Sequence, residues 1–121
     1  MKLVTVSQAQ GQVPVTIFQL QDRLNMGNTA ELEQAANEAY AAGGRNMVID
    51  LSNAPSLTSA GIRTIVIIYK MLSKPKENIK HLKLVSPTPY VREVLDISGL
   101  LAYIEVYDSL VEAVASFQIA V

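Results

Sequence analysis

The alternation of apolar and polar positions divides the chain into short segments. Leu3-Val4-Thr5-Val6 and Val13-Pro14-Val15-Thr16-Ile17-Phe18 are rich in β-branched residues, the composition of strands. The link between them, Gln8-Ala9-Gln10-Gly11-Gln12, is polar and carries a glycine, so the pair predicts a hairpin. Pro14 cannot donate to a ladder, which places it at an edge or at a strand start. Asp22-Arg23-Leu24-Asn25-Met26-Gly27 reads as a loop, and Asn28 with Glu31 has the spacing of a helix N-cap and its returning acid. The helix that follows turns Leu32, Ala35, Ala36, Ala39 and Tyr40 inward. Glu31, Glu33, Gln34, Asn37 and Glu38 face water, and Gly43-Gly44 supplies the stop.

The next segment, Met47-Val48-Ile49-Asp50-Leu51, is apolar except for Asp50, the pattern of a strand covered on both faces. It ends in Ser52-Asn53-Ala54-Pro55-Ser56-Leu57-Thr58-Ser59-Ala60-Gly61. Pro55 removes a backbone donor, and Ser56, Thr58 and Ser59 can each turn an oxygen back on the main chain to start a turn or a helix. Ile62, Ile65, Val66, Tyr69 and Leu72 then recur at helical spacing. Because Val66, Ile67 and Ile68 are consecutive, this helix has contacts on two sides. The second side is either more of the same fold or a partner or self-association surface.

Ser73-Lys74-Pro75-Lys76-Glu77-Asn78 is a charged loop, and His81 to Val85 a short strand. In Ser86-Pro87-Thr88-Pro89, Thr88 suits an N-cap and Pro89 the first helical position. Val91, Val94 and Leu95 point inward and Gly99 is the stop. Ala102 to Tyr107 alternates as a last strand. Ser109 with Glu112 forms a capping box for a helix that buries Leu110, Val114 and Phe117. The order is ββαβαβαβα: one α/β domain with a mixed, mostly parallel sheet of five strands and four helices.

Composition narrows the function. The 121 residues are 50% apolar, enough for one domain with a real core. There is no cysteine, which removes disulfides, thiolate metal sites and cysteine nucleophiles. Ten Lys and Arg against eleven Asp and Glu leave no basic face for nucleic acid. Met1-Lys2-Leu3-Val4 lacks the apolar core of a signal peptide, and no run approaches the ~20 residues of a membrane span. The expectation is a soluble cytoplasmic protein, without cofactor or metal, that meets neither nucleic acid nor membrane.

Enzyme chemistry finds little support. His81, the single histidine, stands on a strand beside Leu82 and Lys83, where a face residue is the ordinary reading. Asp50 has no second acid for general acid and base work, and reads as the residue that orients the following turn. No Gly-rich phosphate loop is present, and Ser59 lacks the glycine two residues before it that a nucleophile elbow requires. What remains is a pair of hydroxyls, Thr58 and Ser59, at a helix start, where backbone N–H groups favour negative charge. That charge belongs either to a bound anion or to a phosphate added to the serine.

Asp50-Leu51-Ser52 followed by Ser59 and Gly61 resembles the signature of the anti-sigma factor antagonists of the STAS family (sulfate transporter and anti-sigma factor antagonist). Val91 to Leu100, ending in Ser98-Gly99-Leu100, is similar to that family's helix and its Ser-Gly-Leu turn. The resemblance covers residues 1–121 as one STAS domain. It implies a protein-protein switch: an antagonist that binds an anti-sigma factor with serine kinase activity, is phosphorylated on the first serine of the motif, and is reset by a serine phosphatase. That serine is Ser59, with Asp50, Ser56, Thr58 and Gly61 shaping its loop. Thr58 and Ala60 stand where the family has an aspartate and a second serine, and Asn25 where it has an aspartate. The partner face implied is Asp22, Arg23, Asn25, Asn28 and Thr29 with Ile62 and Arg63, on a monomer or weak homodimer. Related members act as unphosphorylated scaffolds or as accessory subunits of lipid transporters.

Overall fold

The computed structural model of the protein describes residues 3–74 and 80–117. Strands β1 (Val4–Gln10) and β2 (Pro14–Leu20) form an antiparallel hairpin, longer at both strands than the β-branched runs predicted. Gln8, Ala9 and Gln10 continue the ladder opposite Thr16, Val15 and Pro14, so the turn shrinks to Gly11, Gln12 and Val13. Gly11 is required there, because a Cβ would lie 2.6 Å from the Val114 carbonyl oxygen. Pro14 takes the strand-start position expected of it.

Helix α1 (Thr29–Ala41), β3 (Met47–Asp50), α2 (Ser59–Leu72), β4 (Leu82–Val85), α3 (Pro89–Ile97), β5 (Glu105–Tyr107) and α4 (Leu110–Ser116) follow in the expected order. The five strands stand side by side in chain order, with every pair after the hairpin parallel. The final strand is shorter than the alternation predicted, because Leu100–Ala102 closes into a 3-10 turn behind Gly99. Part of the charged segment expected after α2, residues 75–79, lies outside the described residues.

Side-chain alternation assigns the two faces of the sheet. Phe18, Leu20, Met47, Ile49, Leu82 and Leu84 face the main core, which α1, α2 and α3 close with Leu32, Ala36, Ile65, Ile68, Val91 and Leu95. Val15, Ile17, Val48 and Val85 face the other way and are met by Ala113 and Phe117 of α4. All four residues of β3 are buried, as its apolar run predicted. Lys83 is 4% exposed on the α4 side. Its ammonium donates to Ser116 Oγ at 2.6 Å, pairs with Glu105 at 3.1 Å and lies 4.5 Å from the centre of the Phe117 ring.

The helix ends follow their chemistry. Thr88 accepts the Val91 N–H at 3.2 Å with Pro89 at the first position, Ser109 accepts from Glu112 N–H, and Gly43 and Gly99 adopt positive φ. The starts of α1 and α2 are exceptions, neither having a side-chain cap. At α1 the N–H of Asn28, which a returning Glu31 would take, donates to Asn25 O at 3.1 Å. Asn28 Oδ1 instead accepts the N–H of Asn25 at 2.9 Å, and Glu31 Oε2 accepts the N–H of Val4 at 2.8 Å. The expected capping box is replaced by one local bond that braces the loop and one tertiary bond that ties α1 to the edge strand.

Candidate functional site

The turn between β3 and α2 is built on buried leucines. Asp50, 7% exposed, accepts the Ser52 N–H at 3.0 Å and so directs the chain out of β3. The chain then meets the loop after β2 in a short parallel bridge between Leu24 and Leu57. Leu24 N–H donates to Ser56 O and Thr58 N–H to Leu24 O, each at 3.1 Å. The Thr58 hydroxyl also points to Leu24 O, at 3.4 Å, and forms no cap on α2. Ser56 contributes its carbonyl. Gly61 lets the helix approach closely: a Cβ there would lie 2.7 Å from Leu57 Cδ1 and 3.0 Å from Leu24 Cδ2, so those side chains would have to shift.

The loop 22–28 is fixed by its own polar side chains. Asp22 accepts the Arg23 N–H, Asn25 Oδ1 accepts the Gly27 N–H, and Asn28 Nδ2 donates to Arg23 O. These bonds give the loop one shape although Asp22, Arg23 and Met26 are exposed.

Ser59 is the first residue of α2, is exposed, and its hydroxyl makes no hydrogen bond with the described residues. It borders a groove of about 660 Å³ between α1 and α2. Of the residues expected at the site, Thr29, Ser59 and Arg63 line this groove together. Asp22, Arg23, Asn25 and Asn28 shape the adjoining loop, whereas Ile62 is half-buried and packs on the main core. The groove adds Met26, Glu33, Ala60, Thr64 and Ile67. Two helical repeats run through it, Thr29 with Glu33, and Ser59 with Arg63 and Ile67, each spaced four residues. That spacing is legible in the sequence, but the packing of α1 against α2 that brings the two rows together is tertiary.

The chemistry of this surface is contact and charge. Arg63 and Glu33 supply one charge of each sign, while Met26, 83% exposed, and Ile67, 38% exposed, offer apolar area. Among the described residues no group of three or more His, Cys, Asp or Glu side chains is placed to hold a metal. His81 lies just before β4, half-buried, with Nδ1 2.8 Å from Asn46 Oδ1. No helix among the described residues is long and apolar enough to cross a membrane.

Comparison with known proteins agrees with this architecture. The Bordetella bronchiseptica protein BtrV, named as an anti-sigma factor antagonist, is 33% identical over 101 residues, which is 84% of each chain. The crystal structure of a Thermotoga maritima protein, also named as an anti-sigma factor antagonist, superposes with a TM-score of 0.79 at 25% identity, covering 91% of this chain and 90% of that one. SpoIIAA of Bacillus in its phosphorylated form shares the fold, with a TM-score of 0.68 at 14% identity over 92% of this chain and 96% of that one. The model of the STAS domain matches residues 7–113, nearly the whole of the sheet and helices described above. This chain belongs to the STAS domain family.

Proposed function

We propose that the protein is an anti-sigma factor antagonist whose binding to an anti-sigma factor kinase is turned off by phosphorylation of Ser59. The observation that carries this reading is the position of Ser59: an exposed hydroxyl, free of hydrogen bonds to the described residues, on the first residue of a 14-residue helix at the mouth of a groove. A kinase needs such a hydroxyl to be reachable. A phosphate there adds about −1.5 to −2 charges beside backbone N–H groups that favour an anion. Arg63, one turn further along the same face, supports the same placement. The carrier keeps its fold while the surface its partner reads becomes net negative.

Thr29, Met26, Arg63 and Ile67 would contact the partner, with the hydrogen-bonded loop 22–28 as the rim. The protein acts as a cytoplasmic kinase substrate, and a serine phosphatase resets it. Incubation with ATP and each candidate kinase, read by intact mass, tests the assignment. One added phosphate on wild type and none on Ser59→Ala supports it. Phosphate on another residue, or on none with any cognate kinase, overturns it. The exposed apolar residues Met26 and Ile67 favour a second reading in the second case, that of a constitutive scaffold or accessory subunit docking through the same groove.

A further inference from the structure

Of the two outer strands of the sheet, β1 lacks the protection that edge strands usually carry. Natural edges are blunted by lysine, proline or a bulge, because their unpaired backbone groups invite another chain. Between Lys2 and Asp22 there is no charged residue, and β1 has no proline. Its seven residues pair with β2 without a bulge, and Thr5 to Gln8 are exposed.

Hydrogen-bond register decides which groups point outward. Leu3 O accepts from Gln21 N–H at 2.7 Å and Gly11 N–H donates to Val13 O at 3.1 Å, at opposite ends of the hairpin. In an antiparallel ladder bonded residues alternate with non-bonded ones. The odd-numbered residues of β1 therefore bond to β2, and Val4, Val6, Gln8 and Gln10 direct their N–H and C=O groups away from the sheet. Glu31 occupies the first of these, accepting the Val4 N–H. Val6, Gln8 and Gln10 remain.

We infer that this edge pairs with the same edge of a second copy of the chain, antiparallel, about a two-fold axis at Gln8. One register uses all three outward residues and spares Val4: Val6 opposite Gln10, Gln8 opposite its own counterpart, and Gln10 opposite Val6. The five-stranded sheet is thereby continued into a second one. A second copy fits because an uncharged strand meets its own image without repulsion, and because the ground beside the axis is small and neutral. Gln8 borders a hollow of about 340 Å³ whose other walls include Ala39, Ala42, Gly43 and Gly44. The Glu31 carboxylate is tied to Val4, four residues from the axis, about 13 Å along the strand. The two copies of Glu31 are then separated by well over the ~8 Å Debye length of physiological salt. Val6, a 51% exposed valine, gains cover in the joined sheet.

The paired stretch, Val6 to Gln10, is only about 17 Å long. Such a contact lies at the small end of specific interfaces, so the dimer is weak and forms at high local concentration. The inference is independent of Ser59 and stands or falls without it.

The absence of cysteine makes the test direct. Gln8→Cys places two thiols across the axis in a bonded pair with Cα atoms about 5.5 Å apart, within the range a disulfide spans. Under mild oxidation at high protein concentration it should form a linked dimer at least about tenfold faster than Asn37→Cys, an exposed site on α1. Sedimentation equilibrium of wild type should show reversible dimerisation. Gln8→Lys and Gln8→Glu, each placing like charges face to face, should weaken it about tenfold, and an equimolar mixture of the two should restore it. Circular dichroism verifies that every variant is folded. A strictly monomeric wild type, equal crosslinking of the two cysteine variants, or a dimer indifferent to Gln8→Lys overturns the inference; the last outcome would place association elsewhere, such as α2.

Discussion

Leu24 and Thr58, 34 residues apart, are joined through one carbonyl: the Thr58 N–H donates to Leu24 O at 3.1 Å and the Thr58 hydroxyl approaches the same oxygen at 3.4 Å. The residue before Ser59 is thus held by the loop after β2 rather than by its own helix. Because Leu24 is fully buried, the loop 22–28 and the start of α2 are set by one packing event, and a partner that touches both meets a single preformed surface.

Gly61 seals that packing, which gives a test by substitution. Alanine would gain about 1 kcal/mol of helix propensity, but its Cβ would press on Leu57 and Leu24, and overpacking costs about 1–3 kcal/mol. Gly61→Ala is expected to lower stability by about 1 kcal/mol in urea unfolding. Leu57→Ala removes the nearest obstructing atom, so the double variant should be clearly more stable than the sum of the two single losses. Additive losses would show that Gly61 is not held by this contact.

Glu31 distinguishes two bonding schemes that share one sequence pattern. Its bond to the Val4 N–H predicts that Glu31→Ala costs about 1–2 kcal/mol and accelerates amide exchange at Val4, leaving Asn28 unchanged. A capping box would give the reverse, with Asn28 exposed and Val4 indifferent. Exchange measured residue by residue by NMR decides between them.

The contrast between those two schemes locates what the sequence could convey. Local chemistry was legible: Thr88 with Pro89, Ser109 with Glu112, the turns at Gly43 and Gly99, and the fully buried β3 all follow from neighbours within a few residues. The position of Ser59 at the start of α2 followed from the same local grammar. The failures are where one local pattern admits another partner. Asn28 and Glu31 have the right spacing for each other, but Asn28 bonds within its own loop to Asn25 while Glu31 reaches Val4, 27 residues away. Thr58 likewise turns to Leu24, 34 residues away. The groove was half legible, since Thr29, Ser59 and Arg63 were expected, while Met26, Glu33 and Ile67 needed the helix pairing. The buried position of Lys83 left no trace in its tetrapeptide, which alternates Leu and Lys as a half-exposed strand would.

Lys83 makes the attachment of α4 testable. Its ammonium is buried against Ser116, Glu105 and Phe117, and desolvating a charge offsets most of what such a pair contributes. Lys83→Met keeps the stem that packs on Phe117 and discards the charge, so its stability should lie within about 1.5 kcal/mol of wild type. Lys83→Ala removes the stem as well and should cost about 2–4 kcal/mol. Glu105→Gln leaves the ammonium without its counter-charge and should cost more than Lys83→Met. Thermal unfolding of the three variants checks the order; equal losses for Met and Ala would mean that the charge, not the packing, holds α4.

Ser59→Asp separates a surface switch from an unfolding switch. An acid on the first residue of α2 interacts favourably with the helix N-terminus, by about 0.3–1 kcal/mol at low salt, and Arg63 one turn away adds to it. Ser59→Asp should therefore be slightly more stable than wild type at low ionic strength, with the gain shrinking in 1 M salt and in the Arg63→Ala background. Its affinity for the cognate anti-sigma factor should nevertheless fall by at least about tenfold, while Ser59→Ala binds as wild type does. Calorimetric titration alongside urea unfolding gives both quantities on the same samples. Equal affinities for wild type, Ser59→Ala and Ser59→Asp would remove Ser59 as the switch. A loss of both stability and binding in Ser59→Asp would instead show that negative charge at this position damages the fold, contrary to the favourable field at the start of α2.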